Sequence, residues 1–167
     1  MCGESGLGYD ASAMAQPLPS PVTGSIRDGV HYYAVRAFYE DTDLSGVVYH
    51  ANYLRWFERA RSDLLDLIGV DQRAAVEAGE GAYSVADLSI RYKAPARLGD
   101  IVLIETRAVK LGRASVELAQ RALRAETLLA DMDVRVGFVS PDGRPRRQPD
   151  AWLAAFETVA PTRNESR

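Results

Sequence analysis

The pattern of apolar and polar positions divides the chain into one early strand, one long helix and a strand-rich second half. Val30–Glu40 is aromatic and β-branched, with Val35 beside Arg36, and predicts a strand. Further on, Tyr53, Phe57, Ala60, Leu64 and Leu67 recur at helical spacing and form one apolar stripe, while Arg55, Arg59 and Asp66 fall on other faces. Asn52 is the expected N-cap and Gly69 the stop, so the helix is expected over Tyr53–Ile68. At 1.5 Å per residue it would be about 24 Å long, enough to cross several strands.

The second half alternates with a period of two. Leu128, Ala130, Met132, Val134, Val136 and Phe138 interleave with Asp131, Asp133, Arg135 and Gly137, the signature of a strand buried on one face. Val116, Leu118 and Ala122 repeat the pattern, and Tyr83–Tyr92 and Ile101–Val109 are further strands. The stretch Thr106–Leu129 also contains good helix formers, but alternation decides for strand. Gly99-Asp100, Leu111-Gly112 and Pro141-Asp142-Gly143 mark turns, and Pro149–Phe156 predicts a short last helix. One long amphipathic helix followed by an antiparallel meander is an α+β architecture.

Composition narrows the class. With 47% apolar and 26% charged residues, the 167-residue chain suits one globular domain with tails. The expected division is an N-terminal arm over 1–28, a folded domain over 29–158 and a short tail over 159–167. The arm is rich in Gly, Ser, Ala and Pro, and has too few large apolar side chains to offset the entropy of ordering. It lacks the basic start and continuous apolar middle of a secretory signal. A net charge of -3 does not advertise nucleic acid as partner. No apolar run approaches the roughly 20 residues of a membrane helix. One cysteine, Cys2, excludes an internal disulfide, which fits a cytoplasmic protein. Two histidines and one cysteine are too few soft ligands for a zinc site.

Candidate chemistry concentrates between the first strand and the helix, from Tyr39 to Tyr53. Helix N-termini expose unpaired N–H groups and the positive end of the dipole, which suit a developing oxyanion. A carboxylate nearby can act as base or nucleophile. Asp41 and Asp43 both qualify by type. Spacing alone reads them as an Asp-rich turn. Two rival motifs fail. An EF-hand loop starting at Asp41 would need a glutamate where Asn52 stands, and a helix where a strand is expected. An aspartyl-phosphate enzyme would need a parallel sheet with crossover helices.

The run Tyr39-Glu40-Asp41-Thr42-Asp43, then Gly46-Val47-Val48-Tyr49-His50 and Tyr53, followed by Glu58-Arg59-Ala60-Arg61, resembles the 4-hydroxybenzoyl-CoA thioesterase family. It is most similar to the bacterial branch of acyl-CoA thioesterases associated with the Tol–Pal system. Weaker likeness continues through Arg91-Tyr92-Lys93-Ala94-Pro95-Ala96 and Gly99-Asp100, so about Tyr32 to Val139 is covered. The resemblance implies a hotdog fold, in which an antiparallel sheet wraps the long helix. It implies hydrolysis of an acyl-CoA, short-chain aliphatic or aromatic, with acyl carrier protein as an alternative carrier and no cofactor.

By the same resemblance Asp43 is the catalytic aspartate, and His50 supplies the backbone N–H that polarises the thioester carbonyl. Gly46, Val48 and Tyr49 line the substrate, Arg91 and Lys93 (with Arg113 a further candidate) meet the CoA phosphates, and the active protein is a homodimer or homotetramer. Asp41 is expected to form the turn, Glu58 to be a solvated helix residue, and Trp56 and Phe57 to be core. Arg144, Arg146 and Arg147 read as a solvated turn. The alternative within the fold is a dehydratase or a protein that binds acyl thioesters without cleaving them.

Overall fold

A computed structural model describes residues 20–160. Its elements run β1 (Ser25–Arg27), β2 (Val30–Arg36), a single 3-10 turn (Tyr39–Asp41), α1 (His50–Leu67), α2 (Gln72–Glu77), β3 (Ala82–Tyr92), β4 (Ile101–Leu111), β5 (Ser115–Arg124), β6 (Thr127–Val139) and α3 (Asp150–Glu157). The strands form one antiparallel sheet in the order β1-β2-β4-β5-β6-β3.

The core is the interface between α1 and the sheet. Trp56, Phe57, Ala60 and Leu64 of α1 are buried with Val102 and Ile104 of β4, Val116 and Leu118 of β5, and Ala130, Met132 and Phe138 of β6. Each large apolar side chain buried this way stabilises the fold by about 1.5–3 kcal/mol relative to exposure. The helical stripe and the period-two alternation are two halves of one core. This is the expected α+β hotdog arrangement.

Four expectations are corrected. First, β2 stops at Arg36, not Glu40. The Asp41 carboxylate accepts from the Phe38 amide (2.8 Å) and closes a 3-10 turn there. Second, α1 begins at His50, three residues earlier than expected, with Tyr49 as N-cap and no side-chain cap. Val47 and Val48 are held extended by bridges to Arg97 and Thr42, so the helix starts as soon as they end. Asn52 lies inside the first turn, buried, and its amide donates to the Asp41 carbonyl (2.9 Å). Third, α2 was not anticipated; the Asp71 side chain caps it by accepting from Ala74 N (2.9 Å).

The fourth correction concerns the arm. Ser25–Arg27 pairs with β2 through a tight turn at Asp28 and Gly29, both with positive φ (49° and 72°). Asp-Gly is a strong hairpin signal, but a three-residue strand is too short to show a period-two pattern. Residues 1–19 of the arm and 161–167 of the tail lie outside the described residues. Val159, assigned to the tail, is buried.

Candidate active site

The loop between the 3-10 turn and α1 folds back on itself. Asp43 N donates to Val47 O (3.0 Å) and Gly46 N to Asp43 O (3.0 Å). Gly46 has φ 73°, a left-handed conformation that a side chain would strain. The loop is then tied down at both ends. Val48 N donates to Ala96 O and Tyr49 N to Asp41 O, both at 2.8 Å. Asp43 is thereby held at the tip of a closed loop whose far end is the start of α1.

The Asp43 carboxylate accepts from Ser45 twice, from its hydroxyl and from its amide (2.8 Å). These bonds, the hydroxyl first, hold its carboxyl below the usual aspartate range, helped slightly by His50. Asp43 is therefore ionised at neutral pH. Asp41, two residues away, uses its carboxylate on Phe38 N and its carbonyl on Tyr49 N and Asn52 Nδ2. Asp41 thus forms the turn, as expected of it from sequence.

His50 is the first residue of α1. A first-turn amide has no intrahelical acceptor, and among the described residues the His50 and Ala51 N–H groups donate to no other protein group. The His50 carbonyl accepts from the Tyr92 hydroxyl (2.9 Å). Its ring lies 4.4 Å from that of Tyr49 and 6.1 Å from that of Tyr92. An open pocket is lined by Val48, His50, Tyr53, Tyr92, Lys93, Ala94 and Pro95.

The structure thus brings together Val48, His50 and Lys93 in one pocket, with Asp43 and Gly46 on the adjoining loop and the Tyr49 ring tilted against His50 outside the pocket lining. Arg91 is set apart. Successive strand residues face opposite ways, so Arg91 points away from Tyr92. There it pairs with Asp131 and Asp133 on β6, which push its guanidinium pKa up. Arg113 lies at the β4–β5 turn, at the end of the sheet where β3 begins, while the pocket adjoins the end where β3 finishes. Tyr53 and Tyr92 stand in the stripe and motifs quoted from the sequence, but neither was given a role at the site. Both read as ordinary aromatic positions, and only the packing of β3 against the start of α1 marks them.

A second, more enclosed cavity lies beside the middle of α1, lined by Glu58, Arg61, Ser62, Leu65, Tyr83, Leu118 and Phe156 among others. Burial presses the Arg61 guanidinium down. It donates to Gln120 Oε1 (2.9 Å), and Gln120 in turn donates to Phe57 O (3.0 Å) and Thr106 Oγ1 (2.9 Å). Glu58 is exposed and bonded to the Ser62 hydroxyl (2.8 Å), as a helix-surface residue would be. Among the described residues no group of three or more His, Cys, Asp or Glu side chains could hold a metal.

A long helix cupped in a six-stranded antiparallel sheet, with a carboxylate loop leading into its N-terminus, defines a hotdog-fold thioesterase. The chain belongs to the thioesterase superfamily, whose family model matches residues 45–130. It is 39% identical over 127 residues to the acyl-CoA thioester hydrolase YbgC of Escherichia coli, covering 75% of this chain and 94% of that one. It also superposes on a probable thioesterase from Bartonella henselae with a TM-score of 0.68 and 34% identity, covering 72% of this chain and 99% of that one. A 4-hydroxybenzoyl CoA thioesterase complexed with 4-hydroxybenzoyl CoA shares the fold, with a TM-score of 0.70 at 21% identity over 76% of this chain and 98% of that one.

Proposed function

We propose that this protein hydrolyses acyl-CoA thioesters to free acid and CoA, with Asp43 as the catalytic carboxylate and the His50 amide as the donor to the thioester carbonyl. One observation carries the reading. An ionised carboxylate and an unpaired helix N-terminal amide sit on the two ends of one hydrogen-bonded loop. Likeness to the YbgC hydrolase over most of both chains supports the reaction class.

In the reaction, the carbonyl carbon gains a C–O bond and loses its C–S bond. Asp43 either attacks that carbon directly, to be released by water, or takes a proton from the water that attacks. Both routes need the ionised form that Ser45 stabilises. As negative charge develops on the carbonyl oxygen, the His50 N–H and the positive end of α1 stabilise it. The sulfur leaves as thiolate and ends as the thiol.

Within the family, the motif from Tyr39 to Tyr53 and Glu58–Arg61 supports assignment to the Tol–Pal-associated branch. That branch suggests a short aliphatic or an aromatic acyl group, on CoA or acyl carrier protein, acting in the cytoplasm. Lys93 is the cation in the pocket suited to a phosphate of the carrier. Arg91 is already neutralised by two aspartates and is the weaker candidate. The assembly is proposed to be a homodimer or homotetramer. The support is β3, an 11-residue edge strand with no partner on one side among the described residues, exposing Val85, Leu88 and Tyr92.

The deciding experiment is a panel of acyl-CoA substrates scored by released thiol. Turnover of a short-chain or aromatic acyl-CoA is the expected result. Tight binding without thiol release would replace hydrolysis by the acyl-binding alternative.

A further inference from the structure

We infer that Tyr92 is a positioning residue for thioester hydrolysis: its hydroxyl, donating to the His50 carbonyl, fixes the first turn of α1 whose amides the reaction uses. This rests on the assignment of Asp43 and His50 made above. The reacting amide belongs to a helix end, and a helix end is prone to fray because its first N–H groups have no partners of their own. Apolar packing does not hold such an end to a fixed direction, since it is non-directional. Directional contacts must do it, and side-chain hydrogen bonds reach this turn at three places. The Tyr53 hydroxyl accepts from Ala96 N (3.0 Å). Asn52 Nδ2 ties it to the Asp41 carbonyl, hence to the catalytic loop. Tyr92 Oη ties it to the sheet at 2.9 Å.

Tyr92 is a stiff tether. It is the last residue of β3 and is paired with Ala130 of β6, so its backbone is fixed by the ladder. Its ring packs edge-on against Tyr53 (5.6 Å) and against the His50 imidazole (6.1 Å), which limits its rotation. Burial pushes its phenol pKa up, so it stays protonated, and a donor, across the working pH range. The accepted carbonyl has a second consequence. His50 C=O and Ala51 N–H belong to one peptide group, and a hydrogen bond to the oxygen strengthens the N–H as a donor. The tether therefore polarises one of the two unpaired amides at the helix start while orienting both.

The test is Tyr92→Phe in the full-length protein, which keeps the ring and removes one oxygen, assayed with any acyl-CoA that the wild type turns over. A misdirected donor lowers the rate of the chemical step more than binding, so kcat is expected to fall roughly tenfold with KM changed less than about twofold. The melting temperature should stay within a few degrees, about what one exposed hydrogen bond is worth. In the substrate-free protein, the His50 and Ala51 amide resonances should shift while those in the last turn of α1 do not. An unchanged kcat, a rise in KM alone, unmoved amide resonances, or a loss of activity that merely follows a large loss of melting temperature would each overturn the inference. Asp43→Asn run in parallel separates the two levels. If it keeps the wild-type rate, the site assignment itself fails. If it is inactive while Tyr92→Phe is normal, only the role of Tyr92 fails.

Discussion

Asp43 and Asp41 are the same side chain two positions apart, and their surroundings give them different work. Asp41 spends its carboxylate on a backbone amide and its carbonyl on the helix start, whereas the Asp43 carboxylate accepts only from Ser45, at an exposed loop tip. Asp43→Asn keeps the size and much of the hydrogen bonding but removes the charge, so thiol release should fall by roughly 100-fold or more. Asp41→Asn retains an oxygen for Phe38 N and should keep most of the activity in the same assay. The reverse outcome would move the chemistry to the other carboxylate. A pH prediction follows from Ser45. A carboxyl whose folded pKa is depressed is ionised above that value and loses its charge only as pH falls through it. The acid limb of kcat/KM should therefore lie below the ordinary aspartate value of about 3.9. Ser45→Ala removes the largest of the causes that lower it, so the limb should move up in pH; a pH–rate profile that does not move refutes the link.

At the scale of elements, the start of α1 is organised by its neighbours rather than by a capping side chain. Residues near the start of the described chain are tied to the same helix. Thr23 Oγ1 and Gly24 N both donate to the Asp63 carboxylate of α1 at 2.9 Å, and the buried His31 ring meets it at 2.7 Å. A side chain on Gly24 would collide with Tyr32 O, Asp63 Oδ2 and His31 Nε2, so glycine is required there for close approach. Deleting residues 1–19 should leave melting temperature and activity unchanged. Deleting through Ile26 removes β1 and this tether, and leaves His31 and Asp63 without the strap that covers them. Each hydrogen bond is worth about 1 kcal/mol, and 1 kcal/mol shifts a domain of this size by roughly 2–4 °C. The longer deletion should therefore lower the melting temperature by several degrees, read by calorimetry; an unchanged value would show that the tether contributes nothing.

For the whole molecule, the sheet ends differently on its two sides. One edge is β1, three residues long; the other is β3, eleven residues long. A short edge is a common protection against unwanted pairing, and a long edge with exposed apolar side chains is the place where a second copy would add strands. Sedimentation at assay concentrations should show a dimer or larger species, and an active monomer would refute the proposed assembly.

The chain's own pattern determined the number and order of the main elements. A helical stripe and period-two strands encode which face each element buries, and that encoding is local. The candidate carboxylate came from the resemblance of the contiguous Tyr39–Tyr53 motif to a known family, since spacing alone reads Asp41 and Asp43 as a turn. Where elements begin was decided by tertiary contacts. The Val47 and Val48 bridges to Arg97 and Thr42 start α1 at His50, and Asn52, a good cap by type, is buried in the first turn instead. Distant pairs were likewise closed to the sequence. Arg91 stands in a motif yet is turned to Asp131 and Asp133 by strand alternation and register. Tyr92 meets His50 only because β3 packs its far end against the start of α1, a contact between residues 42 positions apart that no local pattern records.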